Sequence, residues 1–355
     1  MNTKRNYSKQ WIFKTIAILL PFFILILVEI ILHLCNYGYD TSLFIEDKTG
    51  KYYHLNPEIF QKYFTLQENA TRENVELFTK VKKPGTFRIF ALGESTTVGF
   101  PYMHNGAFPR MLKCRLQFEY PTINFEIINL SLTAVNSYTL SDFSRQLVNF
   151  QPNVHFVDVM HVFELHSPHA ILDSTLFLEL VHPNMKGQQL ISDAFYTELK
   201  KTGLLPVLKE HDHSLSTLPK AYPDTAFDSI FGRISIWLLK KQWPFNEPIE
   251  KENPLHIKTV EEQIAGASSV KQLNWFNSMH SLYDLYKQKN DLLVNALHIM
   301  KGLCLEFPFE QEYFLLSGKL SFMQNKEQMA LFYLNKANQF SPSREANSLI
   351  ELMKH

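Results

Sequence analysis

Short apolar runs alternate with segments of helical apolar spacing through the middle of the chain. The apolar runs are Arg88–Leu92, Phe125–Leu130 and Val154–Val159. The helical segments are Ala107–Phe118, Tyr138–Phe150 and a segment that Asn184 can cap, with Leu190, Ile191, Ala194, Phe195 and Leu199 on its inner face. Buried strands that alternate with helices are typical of a mainly parallel sheet covered on both faces. The pattern therefore predicts an α/β fold.

The first part of the chain has a different pattern. From Trp11 to Leu34 it is apolar for long enough to cross a bilayer as a helix, and basic residues precede this run. A cleaved signal peptide is the competing interpretation, but no small-x-small cleavage site follows the run. We expect an uncleaved signal anchor with the amino end in the cytoplasm and the body outside the inner membrane, in the periplasm if the cell is Gram-negative.

The last part reads as helical, with a period of about 34 residues. Ala296 recurs as Ala330 and Pro308 as Pro342, while Gly318 and Ala337 supply small residues in the second copy. An ordinary helical hairpin is the simpler interpretation, but the period favours tetratricopeptide-like repeats. Such repeats generally bind a peptide or another protein, so a protein partner at this helical tail is possible. Two copies are few for a free-standing solenoid, so we expect them to pack on earlier helices.

Five segments follow from these patterns. They are residues 1–36 (signal anchor), 37–83 (juxtamembrane), 84–203 (α/β domain), 204–257 (a proline-containing connector with one helix) and 258–355 (helical, tetratricopeptide-like).

Composition narrows the range of functions. The chain has 35 basic and 35 acidic residues, so its formal net charge of zero gives no sign of a nucleic-acid partner. The three cysteines are widely separated, and they support neither a disulfide framework nor a metal site. His155, His161, His166, His169 and His182 raise the question of a metal, but no pair has convincing spacing on one helix face. We expect no metal and no cofactor.

Ser95 is the candidate nucleophile. It follows the strand Arg88–Leu92 in the turn Gly93-Glu94-Ser95, at the carboxyl end of a strand, where open α/β sheets bind ligands. Much later the chain carries Glu179 and His182 in the order Glu-x-x-His. An imidazole can take the serine proton, and an acid three residues earlier can orient that ring.

These motifs resemble a known family. GESTTVG, INLSLTAVNSYT and LFLELVHPNMKGQQLISDAF are similar to blocks I, II and V of the SGNH (GDSL-like) esterases, with Glu94 in place of the usual aspartate. The resemblance implies a flavodoxin-like three-layer sandwich with a mainly parallel sheet. It also implies Ser95 as nucleophile, His182 as general base and then acid, and Glu179 as the residue that orients His182. Similar proteins cleave acyl or acetyl esters on small molecules, lipids or glycans.

One part of the family pattern is missing. Its oxyanion hole uses the backbone N–H of the serine, the backbone N–H of a block II glycine, here Ala134, and an asparagine from block III. No block III motif lies between Ser95 and His182. If the strand Val154–Val159 replaces the block III strand of the family, Val162 stands near the place of the asparagine. Loss of one oxyanion donor typically costs about 10²–10³ in kcat. We therefore expect a sheet reduced in strands and impaired hydrolysis; the alternatives are an acyl- or acetyltransferase acting on a glycan and an inactive scaffold that binds a protein partner through the helical tail.

Overall fold

The structure is a computed structural model of the 355-residue chain. It describes residues 3–353 except 36, 39, 65–75, 103, 151–156, 180, 208–221 and 250–256. The chain divides into two compact units, Met1–Ser42 and Leu43–His355. We treat each unit separately.

The first unit consists mainly of the helix α1, Thr3–Leu34. It continues through Pro21, and its Gln10–Leu34 portion is 25 residues long and apolar enough to cross a bilayer. This is the one helix in the described residues with that length and composition. It fits a single-pass membrane anchor.

The second unit, which we call the body, contains five strands and twelve α-helices within the described residues. The strands are β1 Phe44–Glu46, β2 Tyr52–Leu55, β3 Leu77–Thr79, β4 Thr86–Gly93 and β5 Asn124–Ser131. The first helices are α2 Ser95–Val98, α3 Phe108–Glu119, α4 Ser137–Leu147, α5 Val159–His166, α6 Met185–Lys201 and α7 Ala226–Lys240. The last are α8 Val260–Ser269, α9 Trp275–Tyr286, α10 Leu293–Glu306, α11 Gln311–Met323, α12 Glu327–Phe340 and α13 Arg344–Leu352.

Strands β4 and β5 pair in parallel over their full lengths, from Thr86 opposite Asn124 to Gly93 opposite Ser131. Both strands form where the apolar runs predict them; β5 is almost wholly buried, whereas β4 is mostly half-buried. Their side chains alternate between the two faces of the sheet, as the period of two requires. One face packs on α3 and α6, with Ile127 against Leu116 and Tyr196. The other face packs on α4 and on the small sheet below, with Ile128 and Leu130 among the buried residues.

The small sheet β1-β2-β3 is antiparallel and lies within residues 37–83, the predicted juxtamembrane segment. Its strands are only three or four residues long. Phe78 of β3 is fully buried and contacts Phe90 of β4 edge to face, at 5.7 Å between ring centroids. Arg88 of β4 donates to the Thr79 carbonyl at 2.6 Å. These contacts make the small sheet part of the body's core.

The prediction of a strand over Val154–Val159 is wrong where the structure describes it. Residues 154–156 lie outside the described residues, Val157 and Asp158 are irregular, and Val159 begins helix α5. The Asp158 carboxylate accepts the His161 N–H at 3.0 Å and so caps that helix. Phe163 then packs against Leu176 and Leu190. Only the last residue of the run, Val159, thus belongs to a described element, the helix α5, and the described parallel sheet has two strands, not the full flavodoxin-like set.

The helical tail follows the predicted period. Helices α10 and α12 begin at Leu293 and Glu327, the same spacing of about 34 residues that separates Ala296 from Ala330. Ala296, Ala330 and Ala337 are fully buried. The small residues therefore lie where adjacent helices pack closely.

Gly318 of α11 lies at the closest of these contacts. A Cβ built there would lie 2.6 Å from Leu334 side-chain atoms of α12, and Leu334 is fully buried. We expect Gly318→Ala to destabilise the protein by about 1–2 kcal/mol, because overpacking outweighs the gain in helix propensity. Gly266→Ala is the matched control: its Cβ would meet only Ile257 Cδ1, at 3.4 Å. Chemical denaturation should show the control unchanged or stabilised by up to about 1 kcal/mol; equal effects would refute this packing account.

A buried polar network joins the helical tail to the α/β part. The Glu306 carboxylate at the end of α10 accepts a hydrogen bond from Arg110 of α3 at 2.5 Å and contacts His104 Nδ1 at 2.9 Å. Arg110 also reaches Glu76 at 3.3 Å. Burial alone would raise the pKa of Glu306, but the charges of His104 and Arg110 hold it at about 2. The helical tail is therefore held to the α/β part by ionised groups as well as by apolar contacts.

Candidate active site

Ser95 lies at the tip of the turn that ends β4. It opens the short helix α2, and Gly99 closes that helix in the left-handed conformation, with φ of 100°. Gly93 permits this turn, because a Cβ built on it would lie 1.9 Å from Thr97 Oγ1. The Asn129 amide of β5 donates to the Thr97 carbonyl at 2.6 Å and holds α2 against the sheet. The serine is therefore fixed at the carboxyl end of β4.

His182 is presented by a tight loop before α6. Phe177 and Pro183 form an isolated antiparallel bridge, and the Leu178 N–H donates to the His182 carbonyl at 2.9 Å. Asn184 then caps α6 by accepting the Gly187 N–H at 3.0 Å, as its sequence position predicts. The loop is thus closed on one side by a bridge and on the other by a capped helix.

Glu179 lies within this loop and binds the histidine at two points. Its Oε1 accepts the His182 backbone N–H at 2.9 Å and contacts Nδ1 of the same ring. Its Oε2 accepts the Val181 N–H at 2.9 Å. The Glu179 side chain is only 4% exposed and that of His182 14%. The carboxylate therefore fixes both the backbone and the ring of His182.

The structure brings Ser95 to this histidine. His182 Nε2 lies 2.8 Å from Ser95 Oγ, although 87 residues separate them. With the imidazole proton on Nδ1, where Glu179 accepts it, Nε2 is free to accept the serine hydroxyl proton. Ser95, His182 and Glu179 thus form a hydrogen-bonded chain in the order that nucleophile, base and orienting acid require.

Ala134 lies close to this chain by the register of the sheet. Gly93 pairs with Ser131, so Ser95 and Ala134 follow the neighbouring ends of two paired strands. Ala134 is exposed and has φ of 59°, in the left-handed region that favours glycine. Alanine therefore adopts the kind of backbone conformation for which a glycine would ordinarily be used.

Ala134→Gly should preserve the backbone N–H and relieve this conformational cost. The left-handed region costs an alanine about 1–2 kcal/mol, and the greater freedom of glycine in the unfolded chain offsets about half of that. We expect stability to rise by up to about 1 kcal/mol in chemical denaturation. Ala134→Val is the contrasting variant: a β-branched residue at positive φ should destabilise the protein. A loss of stability in Ala134→Gly would contradict this conformation.

Val162 was the expected place of a third donor only if Val154–Val159 were a strand, and that strand is not formed in the described residues. Val162 lies within helix α5 and is partly buried. It packs in an apolar cluster with Phe108, Phe163 and Leu176. An aliphatic side chain there donates no hydrogen bond. Among the described residues, the backbone N–H groups of Ser95 and Ala134 are the two oxyanion donors that the sequence predicts.

Three residues that support the site were not identified from the sequence. Gln188 of α6 is fully buried, donates to the Thr96 carbonyl at 3.1 Å and accepts the Phe108 N–H at 3.1 Å. Tyr102 accepts the Met185 N–H at 3.1 Å through its hydroxyl, and burial raises its pKa to about 12. The Phe100 ring lies 4.6 Å from the His182 ring, centroid to centroid. The only sequence feature that pointed to Gln188 was its position as a polar residue beside the apolar face of α6.

Of the histidines that raise the question of a metal, His155 lies outside the described residues. Within the described ranges, no group of three or more histidine, cysteine, aspartate or glutamate side chains is placed to hold a metal ion. His161 and His166 lie exposed on α5, away from a shared ligand set. Nothing in the donor set of Ser95, His182 and Glu179 requires a metal for nucleophilic chemistry.

Comparison with known proteins gives no match at the level of a family model, a curated protein or a solved structure. The functional interpretation therefore depends on the geometry of this site and on the motifs that predict it.

Proposed function

We propose that this chain is a membrane-anchored serine ester hydrolase of the SGNH type, with a reduced sheet. The observation that carries the proposal is the hydrogen-bonded chain Ser95–His182–Glu179, with Nε2 at 2.8 Å from Oγ. Serine, histidine and a carboxylate occur together by chance in many proteins, but here Glu179 lies at Nδ1 of His182 and Ser95 at Nε2, which is the order that acyl transfer needs. The reaction class is therefore acyl transfer through an acyl-serine.

The reaction would proceed in two halves. As Ser95 Oγ attacks the ester carbonyl carbon, its proton passes to His182 Nε2, and the imidazolium is stabilised by Glu179. The tetrahedral intermediate then expels the alcohol, which takes the proton from Nε2. In the second half a water attacks the acyl-serine, gives its proton to Nε2, and the carboxylic acid leaves as Ser95 recovers its proton.

The developing oxyanion would be held by the backbone N–H groups of Ser95 and Ala134. Ser95 begins a helix, so its N–H has no partner within that helix. With the family's third donor replaced, we expect kcat to be lower by about 10²–10³ than for a complete site. We therefore expect a slow enzyme in which Ser95, His182 and Glu179 are in place but one oxyanion donor is missing.

Acyl transfer to a sugar hydroxyl uses the same acyl-serine, with the sugar in the place of water. The anchor helix gives the body a location at a membrane surface, and the basic residues before it favour a cytoplasmic amino end and an extracytoplasmic body. Ester-bearing lipids and glycans are the substrates available there. The alternative is that the chain is not an enzyme. In that case its role would be that of a scaffold that binds a protein partner through the helical tail.

The test is ester turnover by the full chain in phosphatidylcholine nanodiscs. We expect release of nitrophenol from p-nitrophenyl acetate above the rate of empty nanodiscs, with acetate as the product. With N-acetylglucosamine oligomers present, an acetylated sugar in mass spectra would identify a transferase. A folded chain that releases no nitrophenol above the empty nanodiscs would refute the enzyme and leave the scaffold.

A further inference from the structure

A large cavity lies in the body, far from Ser95. Its volume is about 1220 Å³, and its walls come from α3, from α10 and α12 of the helical tail, and from the beginnings of β4 and β5. Ser95 follows the opposite end of β4, which is eight residues long. A strand of that length spans about 25 Å. The cavity is therefore separate from the candidate active site.

Five lysines line this cavity, and four of them form two like-charged pairs. Burial and then the charge of Lys326 lower the pKa of Lys301, and burial and then the charge of Lys83 lower the pKa of Lys336. In the part of the chain that the structure describes, none of the four forms an ion pair with a carboxylate; Lys326 donates to the Gln324 side chain at 2.6 Å. Like charges held close together without counterions are unfavourable unless an anion joins them.

The acidic residues of the cavity do not balance these charges. The Glu126 carboxylate is paired with Arg88 and also accepts from Thr79. Glu327 is exposed on α12. Burial lowers the pKa of Lys301 and Lys336, and the neighbouring lysines lower both further. An anion in the cavity would reverse that effect, because an opposite charge favours the ammonium form.

Aromatic side chains form part of the remaining wall. Phe309, Phe332 and Phe340 line the cavity, and Phe309 stacks on Tyr52 at 4.0 Å between ring centroids. Ligand sites commonly combine such an apolar wall with a few charged groups that fix orientation. The wall suits an apolar or aromatic group, while the lysine pairs suit an anion with more than one charge.

We propose that this cavity binds a phosphate ester that carries an apolar group, with the lysine pairs holding the phosphate and the phenylalanines holding the apolar part. A soluble phosphate ester and the headgroup of a phosphatidate share this chemistry. The site is independent of the ester hydrolase proposed above, since none of its residues belongs to the chain Ser95–His182–Glu179.

The test uses the full chain in phosphatidylcholine nanodiscs and 1-naphthyl phosphate as the probe. We expect saturable binding that is at least about tenfold tighter than that of 1-naphthol, because a charge-assisted hydrogen bond is lost with the phosphate. The double variant Lys301→Gln/Lys336→Gln should weaken binding by about tenfold or more. The matched control, Lys287→Gln/Lys289→Gln, removes the same charge from exposed positions and should bind as the wild type does.

A measurement on the wild type alone covers the case in which the double variant does not fold. Brief acetylation with acetic anhydride, read by peptide mass spectrometry, should show that 1-naphthyl phosphate protects Lys301 and Lys336 but not Lys287 and Lys289. An ether-linked dihexyl phosphatidate, which has no carboxylic ester, then separates the sources: displacement of the probe indicates a lipid, and no displacement a soluble phosphate ester. Three results would each overturn the proposal. They are the absence of saturable binding, equal affinity for 1-naphthol and 1-naphthyl phosphate, and protection of Lys287 and Lys289 equal to that of Lys301 and Lys336.

Discussion

Replacing His182 with alanine should lower kcat for p-nitrophenyl acetate by about 10⁴-fold or more, relative to the wild type. His182 Nε2 lies 2.8 Å from Ser95 Oγ and is the group placed to take the serine proton. Without it the hydroxyl is a weak nucleophile, and the leaving alcohol has no acid. Triad residues act as a unit, so Ser95→Ala should cost as much as His182→Ala, and the double variant should cost no more than either. The measurement is kcat, from nitrophenol release by the full chain.

His166→Ala is the matched control for this prediction. His166 is an exposed histidine of α5. Its Nδ1 contacts the Val162 carbonyl of the same helix at 2.8 Å, whereas Nδ1 of His182 contacts Glu179. It should leave kcat unchanged. If His182→Ala retained the wild-type rate, or if the losses of Ser95→Ala and His182→Ala multiplied in the double variant, the two residues would not form one catalytic unit.

Replacing Glu306 with alanine should destabilise the protein by about 3–5 kcal/mol. Its carboxylate is 5% exposed and compensates the charge of Arg110, which is 3% exposed. Removal of Glu306 leaves the buried Arg110 charge with only the longer contact to Glu76, at 3.3 Å, to compensate it. The network also holds the helical tail against α3, so the loss of stability should affect both the helical tail and the α/β part. Chemical denaturation of the full chain measures the effect.

The control is Glu345→Ala, which breaks an ion pair with Lys319 on a more exposed surface of the same helical tail. Exposed pairs contribute about 0–1 kcal/mol, so this variant should be close to the wild type. The folded-state pKa of Glu306 is depressed to about 2. Its contribution is therefore present above its ordinary value of 4.5 and is lost as pH falls from there towards 2. Equal stability of Glu306→Ala and Glu345→Ala at pH 7 would contradict the role of the network.

The sequence predicted the parts of the fold that local patterns encode. Strands β4 and β5 are short, mostly apolar runs, and α3, α4 and α6 carry apolar residues at helical spacing, so each was recognisable alone. The proximity of Ser95 and His182 was predicted from the order of the motifs. In the SGNH esterases, which these motifs resemble, the serine at the end of a strand lies close to the histidine of the later loop. The 2.8 Å geometry agrees with that expectation.

The missed elements depend on distant contacts. Strands β1 to β3 have only three or four residues with mixed polarity, and Phe78 is recognisable as core only through its contact with Phe90. The apolar run Val154–Val159 predicts a strand, but its last residue, Val159, begins α5, which Asp158 caps and the packing of Phe163 on Leu176 stabilises. Gln188 supports the site through bonds to Thr96 and Phe108, far away in sequence. Local propensity does not contain such information.

The central claim is that Ser95 is a nucleophile activated by His182, and labelling with a fluorophosphonate probe tests it most directly. The probe bonds covalently to an activated serine, so it reports the assembled site even when turnover is slow. The full chain should be labelled at Ser95, and labelling should be lost in both Ser95→Ala and His182→Ala but retained in His166→Ala. A folded chain that is not labelled, or labelling that persists in Ser95→Ala, would contradict the account.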